Sequence, residues 1–201
     1  MQQLLVATTN SNKIREIRQL LDSAPVEILT LAGWPELAAP DETGLTFEEN
    51  ARAKALYYAA ATGELTVAED SGLAIDALGG APGVESARFG GVDLPYPGKF
   101  ALIDAALRAK GEPDSAARFV CALALVRDGR VIFEARGTVE GRISEPKGQG
   151  GFGYDPIFFY PPYGQTLAEA GDAKAAVSHR GEAFRALKAF LSTTHQEREG
   201  R

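Results

Sequence analysis

Apolar positions along this chain recur with two periods, and the switches between them mark out the elements. Leu4-Leu5-Val6-Ala7 is a continuous apolar run of the kind a buried strand carries, and it breaks into the polar loop Thr8-Thr9-Asn10-Ser11-Asn12-Lys13. Ile14, Ile17, Leu20 and Leu21 follow at helical spacing, with Asn10 or Ser11 in the N-cap position. Val26 to Leu31 alternates as a second strand, and residues 34–44, rich in Pro and acids, read as a loop. Thr46-Phe47-Glu48-Glu49 has the form of a capping box and predicts a helix through about Ala61. On that helix Asn50 and Lys54, four apart, share one face.

A short apolar lead, Leu65 to Ala68, delivers Glu69-Asp70-Ser71-Gly72, which the pattern places at a strand end beside a glycine-permitted turn. After the glycine-rich stretch 78–83 and Ser86-Ala87-Arg88-Phe89-Gly90-Gly91, residues 92–99 read as a turn-rich connection. Phe100 to Ala109 has a helical apolar stripe at Leu102, Ile103, Ala106 and Leu107. Residues 118–127 form a near-continuous apolar strand, Asp128-Gly129 signals a hairpin turn, and Val131 to Val139 returns as its partner. Ile157 to Phe159 is a short strand, and a helix is expected through Leu167 to Ala170 with Lys174 just beyond. Ser178-His179-Arg180 opens a last helix with core positions Phe184, Leu187, Phe190 and Leu191, followed by a polar, fraying tail over residues 193–201.

With 201 residues the chain fits one domain, with room for two lobes and a substantial core. The net charge of −6 gives no broad basic footprint for polymeric nucleic acid, so an anionic ligand has to be met by local cations, backbone amides or a metal ion. The single Cys121 lies in an apolar run and rules out an intrachain disulfide; it fits a buried structural thiol in a reducing compartment. No apolar run approaches the roughly 18 residues of a membrane span. The expectation is a soluble, cytoplasmic protein with no membrane partner.

Four stretches carry candidate chemistry. Glu69, Asp70 and Ser71 could approach a ligand or cation closely, although acids at strand ends are often only solvated turn formers. The loop ahead of the first helix puts free amides and Lys13 where a phosphate would sit, but its composition is also that of an ordinary helix cap. Asp41-Glu42-Thr43-Gly44 is a solvated acidic turn unless it serves the capped helix behind it. Gly148 to Pro156 brackets an acid with Phe152 and Tyr154, which is either a mobile loop or a stacking surface for a planar base.

These stretches, in this order, resemble one family, the inosine triphosphate pyrophosphatases or Ham1-like proteins. The resemblance rests on Thr8-x-Asn10-x-x-Lys13, Glu42-Thr43-Gly44-Leu45-Thr46-Phe47, Glu49-Asn50-Ala51, Glu69-Asp70-Ser71-Gly72-Leu73, Leu78 to Gly83, Gly151-Phe152-Gly153-Tyr154-Asp155-Pro156 and Ser178-His179-Arg180. It covers nearly the whole chain. It implies an α/β fold with a long central mixed β-sheet flanked by helices, in two lobes with the nucleotide in the cleft between them, and a homodimer. It also implies Mg²⁺-dependent hydrolysis of inosine, deoxyinosine or xanthosine triphosphate to the monophosphate and pyrophosphate.

The resemblance assigns roles. Asp70 orients and deprotonates the attacking water and binds metal with Asp41, while Glu42 and Glu69 are less certain ligands. Mg²⁺ suits such oxygen ligands, and with two histidines and one cysteine a zinc site is disfavoured. Thr8, Thr9, Asn10, Ser11, Asn12, Lys13, Lys54 and Ser71 face the polyphosphate. Arg180, His179 and Lys174 supply donors to a 6-keto oxygen and would leave adenine facing an unpaired donor. Phe152, Gly153 and Tyr154 wall the base, and Asp155 accepts from its ring N–H groups. The chain departs from the family pattern at Thr9, where Gly is usual, at Asn12, and at Glu69, where Asp is more frequent. A Maf-like nucleotide pyrophosphatase and a non-catalytic nucleotide sensor are the competing identities.

Overall fold

The computed structural model describes residues 2–199. Its described residues form a seven-stranded sheet, five α-helices and several short 3₁₀ turns. In chain order these are β1 (Gln2–Val6), α1 (Ser11–Leu20), β2 (Val26–Thr30), α2 (Phe47–Thr62), β3 (Thr66–Ile75), α3 (Tyr96–Lys110), β4 (Ala116–Arg127), β5 (Arg130–Ile143), β6 (Phe158–Tyr160), β7 (Gln165–Thr166), α4 (Lys174–Val177) and α5 (His179–Glu199). The sheet order is β2-β1-β3-β4-β5-β6-β7. β1 runs parallel to both β2 and β3, whereas β5–β6 and β6–β7 are antiparallel, so the sheet is mixed and the fold is α/β, as expected. β4 and β5 are joined by Asp128-Gly129, with φ of 50° and 71°, the geometry a two-residue hairpin requires.

The chain divides into two compact units. The first comprises residues 1–70, 121–137 and 180–201; the second comprises 71–120 and 138–179. In the first unit, successive strand residues feed two separate cores. Leu4 and Val6 of β1, with Leu123 and Leu125 of β4, pack with Ile17 of α1 and with Phe184, Leu187 and Leu191 of α5. Leu5 of β1, with Ala124 and Val126, packs instead with Ala55, Tyr58 and Ala59 of α2. A strand covered on both faces has no solvent side, which is why β1 and β4 read as continuous apolar runs. In the second unit, Leu73 and Ile75 of β3 join Ile103 and Leu107 of α3, Phe119, Tyr154 and Phe158 in one core.

Four boundaries differ from the sequence pattern, each for a physical reason. β3 does not end at Asp70: it runs on through Ile75, so Glu69, Asp70 and Ser71 stand in mid-strand. Gly72 makes no turn but a close approach. A Cβ there would lie 2.3 Å from Ser86 Oγ and 2.5 Å from the Gly83 carbonyl oxygen. α3 begins at Tyr96, because Pro97 falls in the first turn, where its missing N–H costs nothing. Residues 167–170 are not helical, since the Leu167 and Ala168 N–H groups donate to the carbonyls of Phe158 and Asp155; the helix forms at Lys174–Val177 instead. α5 continues through Glu199, past the predicted start of the tail, whose last two residues lie outside the described residues. No helix among the described residues is long and apolar enough to cross a membrane.

Candidate active site

Asp70 is 5% exposed, and its two carboxylate oxygens are served by two side chains of α2. Asn50 Nδ2 donates to Oδ2 at 3.0 Å, and Lys54 Nζ stands 3.6 Å from Oδ1. The helical i, i+4 spacing brings both groups to one carboxylate. The capping box fixes where that helix starts: Thr46 Oγ1 accepts the Glu49 N–H, and Glu49 returns the bond to the Thr46 N–H. Asn50 Oδ1 also accepts the Gly44 N–H at 2.8 Å, tying the acidic loop to the same helix. Glu42 Oε1 is 2.6 Å from Lys54 Nζ, so Glu42 and Asp70 converge on one ammonium. Asp41, expected as a metal ligand beside Asp70, is exposed; Glu42, the less certain candidate, is the acid brought to Lys54.

Burial pushes the Asp70 carboxyl above its ordinary range, against the pull of Lys54 and Asn50. Burial works against the charge of Lys54, but Asp70 and Glu42 outweigh it and raise the lysine. Asp70 is therefore a base with appreciable proton affinity, held by a cation that stays charged.

Glu69 is the next residue back in β3 and points to the opposite face of the strand. Its Oε1 lies 3.0 Å from Lys13 Nζ and accepts Arg180 Nη2 at 3.0 Å and Nε at 3.2 Å. Its Oε2 accepts the Cys121 thiol at 3.5 Å. Arg180 is 1% exposed, and its Nη1 reaches Glu16 Oε2 at 2.7 Å. Burial would raise Glu69, yet Arg180 first and then Lys13 and Lys54 hold its carboxyl well below the usual range. Burial and the Glu69 charge push the Cys121 thiol well up. With both oxygens engaged by cations and a thiol, Glu69 serves as the anionic hub of a buried ion network and not as an outward-facing ligand.

The loop before α1 is organised by its own cap. Asn10 Oδ1 accepts the N–H groups of Asn12 and Lys13 at 3.0 and 3.2 Å, and Thr8 Oγ1 accepts the Asn10 N–H. Two amides that the sequence leaves to a phosphate are thus already bonded, and the loop's contribution there is the Lys13 ammonium. Thr9, Asn10 and Ser11 are exposed, Asn12 is half-buried, and Ser71 is half-buried in β3.

The second unit gathers the remaining predicted residues. Asp155, 2% exposed, accepts the Phe152 N–H at 2.8 Å and Lys174 Nζ at 2.7 Å on one oxygen. The Lys174 ammonium lies 4.7 Å from the centre of the half-buried Phe152 ring, and the Gly153 backbone lies beside Tyr96. His179 is buried with its ring stacked on Phe119, centroids 4.9 Å apart. Tyr154 departs from the expected wall position. Its ring is 4% exposed, packs edge-on against Tyr96 and donates its hydroxyl to the Ser86 carbonyl at 2.8 Å, leaving Phe152 as the accessible ring of the pair.

The sequence pattern gave Cys121 only as a buried structural thiol and assigned no role to Asn50, Glu16 or Lys99. Asn50 carried a signal, its four-residue spacing from Lys54, whereas the partners of Glu16 and Cys121 are distant in sequence and gave none. Among the described residues no three His, Cys, Asp or Glu side chains are placed to share one ion. Two converging carboxylates, Glu42 and Asp70, nevertheless suit Mg²⁺, which keeps several waters and binds through one or two carboxylates plus substrate phosphates.

Comparison with known proteins bears on this arrangement. Residues 4–190 match the model of the Ham1 family. A dITP/XTP pyrophosphatase of an Exiguobacterium species is 46% identical over 190 residues, covering 94% of this chain and 96% of its own. One from Gloeobacter violaceus is 48% identical over 191 residues, covering 92% and 91%. The solved HAM1 protein of Coxiella burnetii superposes with a TM-score of 0.89 at 37% identity, covering 96% of this chain and all of its own. The Staphylococcus aureus Ham1 protein gives 0.85 at 32% identity with the same coverage. With a family match across nearly its whole length, and relatives this similar over nine-tenths of their own, the chain belongs to the Ham1 family.

Proposed function

We propose that this protein hydrolyses the triphosphates of deaminated purines (ITP, dITP and XTP) to the monophosphate and pyrophosphate with Mg²⁺, and so clears them from the nucleotide pool. The observation that carries the proposal is the Asp70 carboxylate, held on one oxygen by Asn50 and facing on the other the Lys54 ammonium, which also pairs with Glu42. Asp70 takes the proton from the attacking water. Lys13 and Lys54 neutralise the polyphosphate. Mg²⁺, held by Glu42 and Asp70, would supply Lewis-acid charge neutralisation at the phosphate oxygens.

Base selection falls to Phe152 as the stacking face, with Lys174 and His179 as donors. The similarity of the named dITP/XTP pyrophosphatases supports the substrate class. A cytoplasmic homodimer belongs to the same proposal and rests on the family resemblance.

The test is pyrophosphate against orthophosphate release from ITP, XTP, dITP, GTP and ATP, with Mg²⁺ and with EDTA. Pyrophosphate from the first three alone, abolished by EDTA, is the expected result. Orthophosphate release, or equal rates on all five, refutes the assignment.

A further inference from the structure

Lys99 is the buried cation that the proposed chemistry leaves unused. It lies in the first turn of α3, is 2% exposed, and makes no ion pair with a carboxylate among the described residues. Its ammonium donates to three backbone carbonyls, Ala87 at 3.1 Å, Phe89 at 2.8 Å and Gly91 at 3.0 Å. A lysine ammonium has three N–H donors, so this set satisfies it. Burying a charge with carbonyl dipoles in place of a counter-ion is costly, and such a group holds its acceptors to one geometry. The acceptors are alternate residues of a single segment, 87 to 91, which Lys99 thereby folds into a fixed loop.

The residue at the head of that segment is Ser86, 5% exposed. Its Oγ accepts the Leu73 N–H at 2.9 Å and donates to the Gly83 carbonyl at 2.6 Å, while its own carbonyl accepts the Tyr154 hydroxyl at 2.8 Å. Tyr154 adjoins Asp155, whose carboxylate fixes the Phe152 N–H and Lys174. We propose that Lys99 is a positioning residue for base recognition: through the 87–91 loop and Ser86 it sets Tyr154, and with it the Phe152–Asp155 loop. This rests on the proposed function above and adds a determinant of specificity that touches no substrate atom. None of the bonds on this path involves Lys13, Asn50, Lys54 or Asp70, so loss of Lys99 acts on base binding and spares the hydrolytic step.

The experiment compares the full chain with its Lys99→Met and Tyr154→Phe variants in pyrophosphate release from ITP and from ATP. The expected result for Lys99→Met is a KM for ITP raised roughly tenfold, kcat within about twofold, and a lower preference for ITP over ATP. Tyr154→Phe removes one hydroxyl at the far end of the path and is expected to shift KM the same way, less strongly. The double variant should be no worse than Lys99→Met alone, because both act through one path. A purely structural lysine would lower the active fraction, so that kcat falls at constant KM and constant base preference; that outcome overturns the proposal. If Lys99→Met does not fold, Tyr154→Phe decides: an unchanged KM overturns the proposal, and a raised KM supports it. A wild-type protein that releases no pyrophosphate from ITP overturns the function itself, which separates that failure from this one.

Discussion

Replacing Glu69 by Gln isolates the ion network behind the site. The substitution keeps size and one hydrogen-bond acceptor but removes the negative charge that faces Lys13 and the 1%-exposed Arg180. Breaking a buried pair on one side costs about 3–5 kcal/mol, because the remaining charge is left uncompensated. Arg180 keeps Glu16 on Nη1, so the cost should fall at the low end, about 3 kcal/mol. For a chain of this length each kcal/mol moves Tm by about 2–4 °C, which gives a fall of roughly 6–12 °C. Trp34 is the only tryptophan and lies in the first unit with Glu69, so thermal unfolding followed by its fluorescence reads the affected region. Glu134→Gln is the control. Its pair with Arg52 is nearly half exposed on both sides, and its loss should cost about 1 kcal/mol or less. The pH dependence has a definite sign. The Glu69 carboxyl is depressed in the folded state, so its stabilisation is complete above the unfolded value of about 4.3 and is lost as pH falls below it. The gap in Tm between wild type and Glu69→Gln should be full at pH 7 and narrow below about pH 4. A Tm within 2 °C of wild type at pH 7, by the roughly 2–4 °C per kcal/mol scale, would refute the hub assignment.

Three further outcomes follow from named contacts. Gly72→Ala places a methyl group 2.3 Å from Ser86 Oγ, and the overpacking should cost about 1–3 kcal/mol and raise KM; a variant with wild-type Tm and KM would show that β3 and Ser86 yield freely. Phe152→Ala should raise KM for ITP roughly 5- to 150-fold, the equivalent of about 1–3 kcal/mol of base stacking, with kcat little changed; an unaltered KM removes the ring from base binding. Cys121, fully buried with its thiol pushed well up, should not react with a thiol-specific disulfide reagent in the native protein and should react once on unfolding, so rapid native labelling would contradict its placement.

The sequence alone determined whatever depends on near neighbours in the chain. Continuous apolar runs located β1 and β4, helical spacing located α1 and the core face of α5, the capping box opened α2, and Asp128-Gly129 marked the hairpin, because each is a pattern among near neighbours. The capping box at Thr46 and the Asn50–Lys54 spacing were legible for the same reason, as was the identity of the acids at 69 and 70. Tertiary structure decided what those groups face. Glu69 and Asp70 look equivalent in sequence, yet the strand's twofold alternation sends one to Arg180, Lys13 and Cys121 and the other to Asn50 and Lys54. Which of the two loop acids reaches Lys54 was not legible either: it is Glu42, on a loop that the Asn50 side chain ties down at Gly44. Gly72 resembled a turn glycine and proved to be the space Ser86 needs, and the Lys99 ammonium is explained only by carbonyls that a folded loop carries to it. Partners so separated in sequence leave no periodic signature; only folding makes them neighbours.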